Sequence, residues 1–148
     1  MLKAVNSFLA EIQFNTTPAS GATVNFQTSP VFSNTEMMQG IQIVGMETYS
    51  SQYLTFSETG RPIVTNNGIS RILIGLREGS TDRVYMQPAT SGQRAVNGGY
   101  ILEYTGIRLN FSQCYLKITE NAALDIVAGQ SFCINFYYIQ LGGIRGKK

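Results

Sequence analysis

Acids come first in any search of this chain for chemistry. Its 148 residues include no histidine, which removes the commonest general acid–base group. Proton transfer would fall to seven Glu and two Asp, and two carboxylates flanking a cleft suffice for glycoside hydrolysis. Nothing in their spacing signals such a pair. Glu58, Glu78 and Asp82 lie in turn-like stretches, where acids are ordinarily solvated surface groups. Cys114 and Cys133 are the only cysteines. They form no CxxC and, without His, cannot complete a usual zinc set. They read either as two buried thiols or as a disulfide, which requires Cα atoms within about 7 Å. The GGIRGKK end (142–148) superficially resembles a phosphate loop but lacks the GxxxxGK[ST] spacing and a following helix. Asn15-Thr16-Thr17 and Asn110-Phe111-Ser112 match glycosylation sequons, which count only in a secreted chain. The sequence thus assigns no catalytic residue, metal or cofactor, and the expectation is a protein that is not an enzyme.

Composition points to strands. Charged residues make up 14% of the chain against a typical ~25%. Polarity comes instead from 45 Ser, Thr, Asn and Gln. With 15 Gly, eight Phe and eight Tyr, this suits short strands joined by tight turns and is poor material for long surface helices. Net charge is +2, but Arg145, Lys147 and Lys148 supply +3, leaving 8 basic and 9 acidic residues in a body of −1. No broad basic groove for nucleic acid is expected in that body. The beginning of the chain lacks the apolar run of a signal peptide, and no stretch approaches the ~20 apolar residues of a membrane span.

The positioning elements follow from periodicity. Residues 1–14 fit a helical stripe (Leu2, Val5, Leu9, Ile12) and also strand alternation (Leu2, Ala4, Phe8, Ala10, Ile12, Phe14), so they read as an extended arm or a first strand. A β-sandwich domain is expected over 15–141 and a flexible basic tail over 142–148. Within the domain, strands are expected at 38–48, 51–57, 69–77, 100–111 (with Gly106 as a kink), 112–119 and 124–127, with an exposed loop at 87–99. Asn66-Asn67-Gly68 between two β-rich runs predicts a type I′ hairpin turn. The stretch 131–141, SFCINFYYIQL, is apolar on both faces. It is expected to be a mid-sheet strand with one face in the core and the other against a loop or a partner. Ile72, Ile74, Leu116, Ile118, Ile134 and Phe136 are the expected core.

Residues 116–141, LKITENAALDIVAGQSFCINFYYIQL, run as strand, corner, short strand, AGQ turn and long aromatic strand. This pattern resembles the viral single jelly roll of small capsid or vertex (penton) proteins of tailless bacteriophages. The resemblance implies an all-β antiparallel β-sandwich of the single jelly-roll kind, in a virion structural protein assembled in a host cytoplasm. It implies symmetric homo-oligomers, contacts with other capsid proteins, and an arm or tail reaching neighbours, membrane or genome. The residues expected to make assembly contacts are Leu2, Val5, Phe8, Leu9 and Ile12 at one end and Arg145, Lys147 and Lys148 at the other. The basic tail would touch nucleic acid or lipid headgroups weakly. The competing expectation is a receptor- or carbohydrate-binding sandwich such as a fibre or spike tip, with Tyr49, Tyr53, Tyr85 or Tyr100 as exposed platforms.

Overall fold

Among the described residues, inward alternation of apolar side chains along eight strands generates two four-stranded sheets. The computed structural model describes residues 5–26, 32–94 and 102–140. In chain order the strands are β1 (Asn6–Gln13), β2 (Thr23–Asn25), β3 (Ile41–Tyr49), β4 (Ile72–Glu78), β5 (Thr81–Pro88), β6 (Leu102–Ile107), β7 (Tyr115–Ile118) and β8 (Ser131–Gln140). One sheet has the order β1-β8-β3-β6 and the other β2-β7-β4-β5. All ladders are antiparallel: β1 with β8, β2 with β7, β3 with β6 and β4 with β5, with β3–β8 and β4–β7 completing the sheets. The chain is wired as one long hairpin with its tip at the β4–β5 turn, wound so that its arms divide between two layers.

β8 sits between β1 and β3, which accounts for its apolar character on both faces. Phe132, Ile134 and Phe136 point inward and are fully buried. Phe136 anchors an aromatic cluster between the sheets, with Phe8 at 5.6 Å and both Phe26 and Phe111 at 6.4 Å between ring centres. All six expected core residues are buried, none more than 1% exposed. Cys133 lies in β8 and Cys114 just before β7 in the opposite sheet. Both are buried and free, so the disulfide alternative falls away.

Several expectations fail, each for a local reason. Helix α1 (Asn34–Gln39) takes in 38 and 39, where a strand was expected to begin. Its start is a capping box in which the Ser33 hydroxyl accepts from the Glu36 N–H and the Glu36 carboxylate accepts from the Ser33 N–H. The 66–68 hairpin is absent. Thr65 instead caps a one-turn helix α2 (Asn66–Ile69), accepting from the Gly68 N–H at 3.1 Å. The stretch preceding it bridges β8 at Ile63–Ser131 and not β4. Residues 51–57 form turns with an isolated Phe56–Pro62 bridge, and 124–127 form no strand. There Asn121 takes over: its buried amide bonds the carbonyls of Pro18 and Ile126 and the Ile126 N–H. That corner fixes the backbone side to side, so no ladder is required. Gly106 does kink β6, at φ +121°.

Candidate functional site

Phe8 and Ile12, expected as contacts to a partner, are only 5% and 1% exposed. This corrects the arm reading over 6–13: β1 alternates inward at Phe8, Ala10 and Ile12, and those side chains are spent in the protomer's own core. Val5 is 56% exposed, and Leu9 is half-buried and packs against the core. Leu2, Tyr100, Arg145, Lys147 and Lys148 lie outside the described residues.

The acids are not brought to a common cleft. Glu47 on β3 has a side chain 1% exposed. It accepts hydrogen bonds from Tyr49 Oη (2.9 Å) and Tyr137 Oη (3.2 Å), with Arg94 Nη1 3.3 Å away. Burial, then the hydrogen bond to Glu47 and its charge, push the Tyr49 phenol up to about 12, so it stays a donor. A buried carboxylate so satisfied is a clamp. It secures the segment after β5, where Thr48 Oγ1 donates to the Ala89 carbonyl (2.8 Å) and the Arg94 N–H donates to the Thr48 carbonyl (2.9 Å). No sequence signal joins positions 47, 49, 94 and 137. Only the β3–β8 register and the fold-back of the post-β5 segment do.

Glu11, on β1 opposite Cys133, is held by Thr59 Oγ1 (2.6 Å) and Ser131 Oγ (2.7 Å). Burial pushes its carboxyl up, but hydrogen bonds from Thr59, Ser57 and Ser131 outweigh that and the net shift is downward. This weakens it as a proton acceptor. Its bonds tie the 57–61 turn to the sheet, where Arg61 also donates to Asn15 Oδ1 at 2.8 Å. Glu78 and Asp82 pair with Arg83 and Arg77 across the β4–β5 hairpin, and Glu58 is exposed. Burial pushes both Cys thiols up to about 12, far from a reactive thiolate. Among the described residues no group of three or more His, Cys, Asp or Glu is placed to hold a metal, and no helix is long and apolar enough to cross a membrane.

The opposite face, on β2-β7-β4-β5, is built around one unanticipated contact. Gly75 on β4 lies directly across the ladder from Tyr115 on β7. The missing side chain lets the Tyr115 ring lie on the strand, and Arg77 stacks over the ring at 5.3 Å. An aromatic ring covering a glycine in this way restores packing to a strand position that would otherwise be bare. Beside it a recess of about 220 Å³ is lined by Thr23, Asn25, Arg77, Gln113 and Tyr115. Tyr85, one of the expected platforms, is 67% exposed, whereas Tyr49 is tied to Glu47 and Tyr53 is half-buried. On the first sheet's outer face a second recess of about 360 Å³ is lined by Val5, Val44, Gly45, Glu103, Tyr104 and Tyr137. A third, of about 430 Å³, lies between the end of β1 and β2. In comparisons with protein-family models, curated proteins and solved structures, none matches this chain.

Proposed function

We propose that the protein is a non-enzymatic structural subunit of a virion, a single jelly roll that associates symmetrically with its own copies, at a capsid vertex or as a minor capsid component. The strand wiring carries this reading. Pairing first with eighth, second with seventh, third with sixth and fourth with fifth strand is how a hairpin winds into the two Greek keys of a jelly roll. The acids add support, because each is engaged by neighbouring side chains: Glu11 by Thr59 and Ser131, Glu47 by Tyr49, Tyr137 and Arg94. Partners on this reading are further copies and other capsid proteins, with Arg145, Lys147 and Lys148 reaching phosphate of nucleic acid or lipid headgroups. Multiplication of +3 tails across an assembly strengthens an otherwise weak attachment.

One observation favours a second reading, a receptor- or carbohydrate-binding module: exposed Tyr85 shares its sheet face with the polar recess at Thr23, Asn25 and Gln113. Because one fold hosts many functions, the deciding test is of assembly. Sedimentation at high concentration should give a closed homo-oligomer, and purified particles should contain the chain. A strict monomer absent from particles refutes the capsid role. Glycan binding by such a monomer, abolished by Tyr85→Ala, would establish the second reading.

A further inference from the structure

Asn67-Gly68, expected as a hairpin turn and found in helix α2, is a pair with a covalent chemistry of its own. The Gly amide nitrogen of such a pair can attack the Asn side-chain carbonyl carbon, because Gly has no Cβ to hinder the approach. The new N–Cγ bond closes a five-membered succinimide, the Cγ–Nδ2 bond breaks, and the amide proton leaves with the ammonia. Water then opens the ring at either carbonyl, giving aspartate or isoaspartate. Isoaspartate routes the backbone through the side chain and lengthens it by one methylene. Asparagine counts as thermolabile in proteins, and its pair with Gly is the least hindered case.

The fold exposes the Asn67 side chain and withholds the nitrogen. Asn67 is exposed, while Gly68 and Ile69 are buried. The Gly68 N–H donates to Thr65 Oγ1 at 3.1 Å. The Ile69 N–H donates to the Thr65 carbonyl at 2.9 Å, and the Arg71 N–H to the Gly68 carbonyl at 3.0 Å. Ser70 Oγ donates to the Asn67 carbonyl at 2.6 Å. Both sides of the Asn67–Gly68 peptide are thus held, whereas ring closure requires the backbone at Asn67 to rotate out of the helical range. Packing opposes that rotation as well. A Cβ at Gly68 would stand 2.9 Å from the Asp125 carbonyl oxygen, and Ile69 is 0% exposed. Asn66 adds a tether, donating to Gln52 Oε1 at 3.1 Å and accepting from Gln93 Nε2 at 3.2 Å.

We propose that Asn67 is a conformation-gated modification site: it keeps its amide while α2 is closed and converts to aspartate or isoaspartate in chains whose α2 has opened. The Thr65 hydroxyl is the latch, because it holds the nitrogen that would react. The two products then part. Aspartate has the backbone length of asparagine and returns to the turn. Isoaspartate brings an extra methylene to a peptide packed against the Asp125 carbonyl, so the turn does not reclose and the opening is recorded irreversibly.

The test ages the full chain at mildly alkaline pH, with and without urea, and follows each asparagine by peptide mapping and mass spectrometry. In urea Asn67 and Asn97, the chain's two Asn-Gly asparagines, should convert at comparable rates, which fixes the rate of the open chain. Without urea, conversion at Asn67 should be at least about tenfold slower, as expected when reaction waits on an opening that the fold makes rare. Thr65→Ala should raise the rate without urea about fivefold, the gain in open population when a helix cap is lost. Thr65→Ser keeps a capping hydroxyl and should hold the parent rate. Circular dichroism checks that each variant is folded. Equal conversion of Asn67 in the parent with and without urea overturns the proposal, whatever the variants do. A folded Thr65→Ala that converts no faster than the parent overturns it too, and leaves Thr65 a structural cap alone.

Discussion

Replacing Gly75 by alanine isolates the Tyr115 contact with little else disturbed. A Cβ at position 75 would stand 2.2 Å from Tyr115 Cζ and 2.4 Å from Cε1. Ordinary carbon contacts lie at about 3.5–4.0 Å, so the ring must move by roughly 1.3–1.8 Å. Tyr115 is 8% exposed and cannot shift without unpacking. Forcing an extra methyl into such a contact costs about 1–3 kcal/mol, and the Arg77 stack adds about 0.5–1 kcal/mol when lost. Against this, Ala is better than Gly inside a strand by roughly 0.5–1 kcal/mol. The net expectation for Gly75→Ala is a loss of about 1–3 kcal/mol, or a Tm fall of roughly 2–4 °C per kcal/mol for a chain of this size. The sign should reverse in a Tyr115→Ala background, where the methyl meets no ring and only the strand preference of Ala remains. A double-mutant cycle by urea unfolding, followed by far-ultraviolet circular dichroism because the chain has no Trp, should return a coupling of about 1.5–3 kcal/mol. An equal cost of Gly75→Ala in both backgrounds would refute the ring-on-glycine account.

Ile134→Ala, at a fully buried position, should lower unfolding stability by about 2–5 kcal/mol through lost burial and a cavity, read in the same urea assay. Gly68→Ala and Gly68→Asn should both destabilise by about 1–3 kcal/mol, since a Cβ there stands 2.9 Å from the Asp125 carbonyl oxygen. A tolerated Asn would revive the hairpin turn, because Asn accepts the left-handed backbone that such a turn needs. Glu11 has a folded-state carboxyl pulled below its ordinary 4.5, so its contribution is present above that value and is lost as pH falls through the lower folded one. Urea midpoints of Glu11→Gln and the parent should therefore differ at pH 7 and converge toward pH 3; a constant difference across that range would show that Glu11's charge is irrelevant.

What the sequence by itself determined is which side of each strand faces in. Period-two alternation places Ile72 and Ile74, Leu116 and Ile118, Ile134 and Phe136 on inward positions, because burying apolar area is the largest favourable term and a strand offers only two faces. The apolar character of both β8 faces told equally of a mid-sheet position. Helix α1 was also legible, in Ser33-x-x-Glu36, although the strand-rich surroundings masked it. Local pattern failed where two signals competed. Asn66-Asn67-Gly68 satisfies a hairpin turn and a capped helical turn alike, and Thr65 together with the nearness of Asp125 decided between them. The N-terminal stripe fitted helix and strand, and pairing with β8 along eight positions chose strand. Tertiary structure alone decided the polar contacts. Glu47 meets Arg94 and Tyr137, Glu11 meets Thr59 and Ser131, and Tyr115 covers Gly75. A single hydrogen bond or ring contact across 40 to 120 positions leaves no periodic trace. It exists only once burial has fixed the register that brings its two ends together.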